Sequence, residues 1–253
     1  MGRELRGYLR LAALLFVVLE TLLVLAIVWW PNFQESIPSL KKLAKLPVLA
    51  QQVDLIEMFG VGAYVVGQHY FKACNTAGAA AAVLFAMNAV AGEAHRGTLE
   101  IWLARPVTRT RLYTERYLLG QLAIFVPVLL TSLTVPRLLH VVDEDMAYGP
   151  LVLCSVQQSL FLGGIYSLAF LLSAVTSQPL RIALWLLFGA IFEFAIYMVK
   201  TITHYSIFRL VDIEAFVAIL NRNALDPAVT AGLVGVNVVA YAVGLAAFRR
   251  RVP

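Results

Sequence analysis

The residues of this chain whose types and spacing could do chemistry are few, and most lie where chemistry is costly. Glu20 and Glu193 each interrupt a long apolar run. At 1.5 Å per helical residue Glu20 falls about 14 Å into its run, near mid-bilayer if that run crosses a membrane. A charged carboxylate there costs on the order of 3 kcal/mol on insertion scales, so each is expected to face protein or a wet cavity, or to hold its proton. Two roles stay open for the pair: lining a substrate pathway, or bonding one helix to another. Glu93 and His95 could suggest acid–base work, but no third group completes a constellation, and a solvated turn explains them. HExxH, GxSxG and CxxC patterns are absent, and Cys74 and Cys154 stand alone inside apolar runs. Neither an enzyme, a metal site nor a disulfide framework is expected. Binding ATP through a P-loop requires Gly-Lys followed by Ser or Thr. No Gly-Lys pair occurs, so the chain is expected to bind no cofactor of its own.

The elements around these residues follow from composition. Of 253 residues, 60% are hydrophobic and 14% charged, where a soluble domain carries about 25% charged residues. Six apolar blocks, over 11–30, 71–91, 118–135, 151–175, 182–199 and 229–248, match the roughly 20 residues a helix needs to cross a bilayer. They are apolar all round and lack the alternation of barrel strands. The expectation is an all-α integral membrane protein of six transmembrane helices forming a single domain over 1–253. Arg3, Arg6 and Arg10 precede the first block in the manner of a signal peptide. That block is too long for a signal h-region, however, and Trp29-Trp30-Pro31 is no small-residue cleavage site, so it stays as an anchor.

Charge orients the spans. With both termini in the cytoplasm, inner segments carry 12 of the 20 basic residues against four acids, for +8, and outer segments balance near −1. The positive-inside rule favours that orientation. It also accounts for the basic balance of the chain without nucleic acid, and adds attraction to anionic membrane lipid. Two outer connections are long enough for structure. In 37–59, Leu40, Leu43 and Leu46 face away from Lys41, Lys42 and Lys45, and Pro47 divides two short helices. After Lys200, Asp212 can cap a helix with Ile213, Phe216, Val217 and Leu220 on one face. Both are expected to lie in the outer interface, between spans 1 and 2 and between spans 5 and 6.

Within the spans, Asn75, Asn88, Gln157, Gln158 and Asn237 are expected to act as interhelical glue. His69 and Lys72 are expected near the outer mouth of the second span, able to snorkel. Small residues repeat every four positions through Ala73, Ala77 and Ala81 and through Gly78, Ala82 and Ala86, permitting close helix approach within the chain or to a second copy. Pro127 is expected to kink the third span.

The most informative stretch is the inner connection over 92–109. Gly92 and Gly97 weaken the end of the second span, Thr98 can cap a short helix with Glu100 in its first turn, and Pro106 ends it. Leu99, Trp102 and Leu103 form an apolar side, while Arg96, Glu100 and Arg105 offer charge to a partner. Thr108 can then cap the third long helix, which opens with Arg109, Arg111, Glu115 and Arg116.

The ordered combination of Glu93, Gly97-Thr98-Leu99-Glu100, Leu103 and Pro106-Val107-Thr108-Arg109 resembles the E…GTLE…L…PVSR signature of the ABC-2-type permease family, although Trp102 stands where that family has an aliphatic residue. Arg3-Glu4-Leu5 is similar to the family's cytoplasmic entry segment. The resemblance implies that 92–109 is a coupling hinge docking an ATP-binding subunit through Glu93, Arg96, Gly97, Thr98, Leu99, Glu100, Trp102, Leu103, Arg105, Pro106 and Arg109. It further implies ATP and Mg in that partner, two ATP-binding copies, a permease homodimer, and export across a prokaryotic cytoplasmic (inner) membrane. Members export drugs, lipids or polysaccharides. Others, such as the nitrous-oxide-reductase maturation permease, serve metalloenzyme assembly. Apolar composition and the outer helices favour a hydrophobic or amphiphilic cargo. An ATP-independent transporter or channel is the reading of a different class, against which stands the lack of internal symmetry between the two halves.

Overall fold

The computed structural model describes residues 2–43, 46–99 and 107–251, with side chains from Leu5 onward. The regular elements among the described residues are all helical. Five helices are long and apolar enough to cross a membrane: Leu5–Leu43, Arg109–Val142, Tyr148–Val175, Pro179–Met198 and Pro227–Arg250. In chain order the elements are α1 (Gly2–Leu43), α2 (Pro47–Val65), a π-helical segment (Val66–Gly78), α3 (Ala79–Met87), α4 (Ala91–His95), α5 (Arg109–Leu139), α6 (Tyr148–Val175), α7 (Pro179–Met198), α8 (Ile213–Arg222) and α9 (Pro227–Arg250).

The centre of the bundle is α6, packed against α3, α5 and α9. Two glycines let large rings seat there. Gly120 leaves room for the Tyr166 hydroxyl and Gly244 for the Tyr113 hydroxyl, each where a Cβ would lie about 2 Å from the hydroxyl oxygen. Around these points Tyr166 stacks on Phe170, and Tyr117 meets Tyr166 tilted and Phe170 edge-on. The polar glue is largely as expected. Gln158 Nε2 donates to Asn75 Oδ1 at 2.8 Å, Gln157 Nε2 to the Leu210 carbonyl at 2.6 Å and Asn237 Nδ2 to the Leu160 carbonyl at 3.0 Å. Asn88 instead bonds locally, to the Leu84 carbonyl. The small-residue stripe is taken up inside the chain: Gly78 packs against Leu162 of α6, and Ala82 and Ala86 are buried. On α1 one stripe, Leu15, Leu19, Leu23, Ile27, Trp30 and Ile37, is buried, while Leu14, Val17, Leu25, Val28 and Trp29 face outward as a lipid-solvated helix allows.

The structure departs from expectation between spans 1 and 2. The first helix runs on past 30 to Leu43 through Pro31 and Pro38, so 37–43 is its continuation and no separate surface helix. Likewise α2 turns at Gly60 (φ 62°) and passes straight into the π segment. The expected second span, 71–91, is therefore the lower part of a helical path over 47–87, π-helical to Gly78 and α-helical beyond, and it breaks at 88–90. A hydropathy window sees only that these residues are apolar; the wider i→i+5 turn depends on tertiary partners. Those partners are specific. The Tyr70 hydroxyl has two acceptors in reach, Ser132 Oγ at 2.7 Å and the Leu151 carbonyl at 3.0 Å, and His69 Nε2 meets Thr131 Oγ1 at 3.1 Å. His69 is thus buried in the bundle and does not snorkel.

The outer helix after Lys200 forms as read. Asp212 accepts the Ala215 N–H at 2.9 Å and α8 follows. Its apolar face, however, is covered by protein: Ile213 packs on Gly67 and the Phe216 ring lies 5.0 Å from Tyr70.

Candidate coupling surface

At the inner end of the bundle, α3 stops at Met87, and Ser173 of α6 holds the break. Its Oγ accepts from the backbone N–H groups of Val90 (3.2 Å) and Ala91 (2.8 Å), capping α4 with a residue from another helix. The exit from α4 is just as defined. Gly97 is left-handed (φ 68°), its N–H bonds to the Ala94 carbonyl at 3.1 Å, and the Thr98 N–H bonds to the Glu93 carbonyl at 3.0 Å. That paired 5→2 and 6→1 pattern is a Schellman cap, whose left-handed position favours a residue without a Cβ.

Glu93 is the hub of this turn. Arg96 donates to one carboxylate oxygen at 2.7 Å and the Thr98 hydroxyl to the other. Partial burial works to raise the Glu93 carboxyl, but the bonds from Thr98 and Arg96 and the charges of Arg96 and Arg116 outweigh it and hold the group below the usual glutamate range. Arg116 of α5, almost fully buried, donates to the Ala89 carbonyl at the break. Leu99, the last described residue before 107, is buried. Glu100, Trp102, Leu103, Arg105 and Pro106 lie outside the described residues.

The chain re-enters at Thr108, whose side chain accepts the Arg111 N–H and opens α5, as its sequence position suggests. Arg109 then reaches across to the end of α9, donating to the carbonyls of Arg249 (3.1 Å) and Arg251. Arg249 returns the contact with two bonds to Thr110 Oγ1. Arg251 spans to the end of α6, donating to the carbonyls of Ser173, Ala174 and Thr176 and to Ser177 Oγ. A guanidinium satisfying the orphan carbonyls of a helix C-terminus is favourable in both hydrogen bonding and dipole sense.

Glu93, Arg96, Gly97 and Thr98 are thus brought into one turn, and Arg109 into a clasp beside it. Ser173, Arg116 and Arg251 were not singled out from sequence for these roles. Arg251 counts in the sequence only as one of the 12 basic residues of the inner segments, and the acceptors it meets come from a helix far away in sequence. A cavity of about 530 Å3 opens between α1 and α3, apolar along Leu11, Leu15, Ala81 and Phe85 and closed at its inner end by Glu93 and Arg116.

The two intramembrane carboxylates stay apart and have different partners. Glu20 on α1 is half-buried and accepts from Thr134 Oγ1 of α5 at 3.0 Å. Glu193 on α7 accepts the Ile207 N–H at 3.1 Å, and its carbonyl accepts from Ser206, so it anchors the turn Ile207–Val211. Neither lines the cavity between α1 and α3. Among the described residues no three His, Cys, Asp or Glu side chains gather as metal ligands, and both cysteines are free and buried.

The profile of the family described as "ABC-2 family transporter protein" matches residues 2–251. No curated protein and no solved structure matches the chain. With several helices fit to cross a membrane and a match over nearly its full length, the protein belongs to the ABC-2 transporter family, as a multi-pass membrane permease without catalytic activity of its own that works with an ATP-binding subunit.

Proposed function

We propose that this permease is the membrane half of an ATP-driven exporter of a hydrophobic or amphiphilic substrate in a prokaryotic cytoplasmic (inner) membrane. It crosses that membrane six times with both termini inside, the path 66–87 serving as the second span. Two copies pair as a homodimer and each docks one ATP-binding subunit on the hinge 92–109, where Glu100, Trp102, Leu103, Arg105 and Pro106 present the contact and ATP and Mg stay in the partner. The observation that carries this reading is the Glu93 hub: a Schellman turn tied to α5 and α6 would pass a push on the loop to those two long helices. The cavity between α1 and α3, apolar with charge at one end, favours an amphiphile entering from the inner side. Of the two carboxylates we assign Glu20 to the substrate pathway, since it sits on α1, which walls that cavity, although it does not itself line it; Glu193 is the weaker candidate because it holds the turn at Ile207.

The test is reconstitution with the cognate ATP-binding subunit. Wild type is expected to co-purify with it and to show substrate-stimulated ATP hydrolysis. Glu100→Lys, Arg105→Glu and Gly97→Pro, the last forcing φ near −65° where the turn needs +68°, are expected to leave the bundle folded and abolish stimulation. Normal transport by all three variants would remove the hinge from the coupling role.

A further inference from the structure

Two apolar cavities flank the π segment, one of about 400 Å3 toward α7 and one of about 290 Å3 toward the outer end of α1. Leu49 and Gln52 of α2 and Lys72 of the π segment line both. Phe71 and Phe194 belong to the first, Phe33 and Ile56 to the second. No Asp or Glu lines either cavity, and Lys72 has no acidic partner among the described residues. Its side chain is exposed at the surface of the bundle where the two cavities meet, so the ammonium is open to a ligand from the membrane. Beside it, Gln52 Nε2 donates to the Tyr197 hydroxyl at 3.1 Å, which leaves the phenolic proton as a second donor on the wall of the larger cavity. One cation where two apolar furrows meet, with no acid nearby, complements a ligand with one anionic head and two chains.

We propose that Lys72 is the head-group contact of a binding site for an anionic phospholipid, the phosphate lying on its ammonium and one acyl chain in each cavity. The site goes beyond the transport reading. Lipid retention by the permease alone needs neither ATP nor a partner, so its failure leaves coupling untouched, and the failure of coupling leaves it untouched.

The experiment is native mass spectrometry of the full chain in mild detergent with equal amounts of dioleoylphosphatidylglycerol and dioleoylphosphatidylcholine. Wild type is expected to retain the anionic lipid over the zwitterionic one by about fivefold, what ~1 kcal/mol from one basic side chain supplies. Lys72→Arg should keep that preference, and Lys72→Gln should lose it. Phe194→Trp, which narrows the larger cavity and leaves the charge in place, should lower retention of the two-chain lipid but not of its single-chain lyso form. Equal retention of both lipids by wild type overturns the site, as does a preference that survives Lys72→Gln. An unchanged Phe194→Trp profile overturns the two-chain seating. Competition by chainless glycerol 3-phosphate as effective as the lipid itself overturns the lipid assignment in favour of a plain phosphate contact.

Discussion

At the scale of single residues the hinge turns on Gly97. A left-handed φ costs an L side chain about 1–2 kcal/mol, and no heavy atom of the described residues lies within 4 Å of where a Cβ would sit, so among them the penalty of a substitution is conformational rather than steric. Gly97→Ala is expected to weaken the turn by about that amount and Gly97→Asn by less, read as faster amide exchange at Thr98; unchanged exchange would mean that the Schellman pairing does not hold the loop. Glu93 gives the turn a pH dependence. Its folded-state carboxyl lies below the ordinary value of 4.5, so it contributes stability that is present above that value and lost as pH falls through the depressed one. Exchange at Thr98 should therefore rise on acidification through and below the carboxylate range in wild type, and Glu93→Gln should abolish the trend while keeping the side chain's shape. The Glu93 and Gly97 positions were legible in the sequence as members of a motif. Their physical duties, as hub and as left-handed cap, were not, because both depend on which backbone groups the turn leaves within reach.

At the scale of elements, α8 and the π segment make the contrast plain. Asp212 and the apolar face of α8 could be read from sequence because a cap and a 3.6-residue period are local signals. What covers that face could not, since Gly67 and Tyr70 reach it from a segment whose π-helical turn is set by partners on α5 and α6. The path over 47–87 was misjudged for the same reason: apolarity fixes that residues enter lipid, while Gly60 decides where the path bends. Burial of Asp212 has a measurable consequence. Desolvation pushes its carboxyl from 3.8 up to about 6, against the lowering pull of the Ala215 N–H and the Arg209 charge. The folded state thus holds a proton that the unfolded state releases, and the sign follows: stability of this cap falls as pH rises from about 4 to about 6 and is flat above. The span corresponds to an effect on the order of 2–3 kcal/mol. Asp212→Asn, which keeps a good capping side chain, is expected to remove the slope, measured as amide protection of α8 between pH 4 and pH 7; a slope that persists in the variant would place its origin elsewhere.

At the scale of the whole molecule, the inner and outer ends are tied by different devices. The outer end is closed by α8 lying on the π segment and by Glu193 holding the turn at Ile207. The inner end is closed by arginines that join the start of α5, the end of α6 and the end of α9. Five of the six expected spans, those on α1, α5, α6, α7 and α9, were readable because bilayer thickness fixes their length, and the second was not. The clasp was not, because a basic run satisfies a topological rule equally well whether or not it bonds anything. Under the proposed coupling the end that carries the hinge moves as one body, and Arg251 ties that end together, with donors to three carbonyls and a hydroxyl within 3.3 Å. Arg251→Ala is expected to cost about 1–2 kcal/mol, reduced from the sum of its bonds because the side chain is partly solvated. Arg251→Lys should recover only part of that, since one ammonium cannot reproduce the planar fork. The readout is local: amide exchange should quicken at 173–177 and over the first turn of α5, while α8 at the opposite end keeps its protection. Equal loosening of α8 would show that the bundle opens as a single cooperative unit and that the inner clasp is not a separable lever for the ATP-binding subunit to pull.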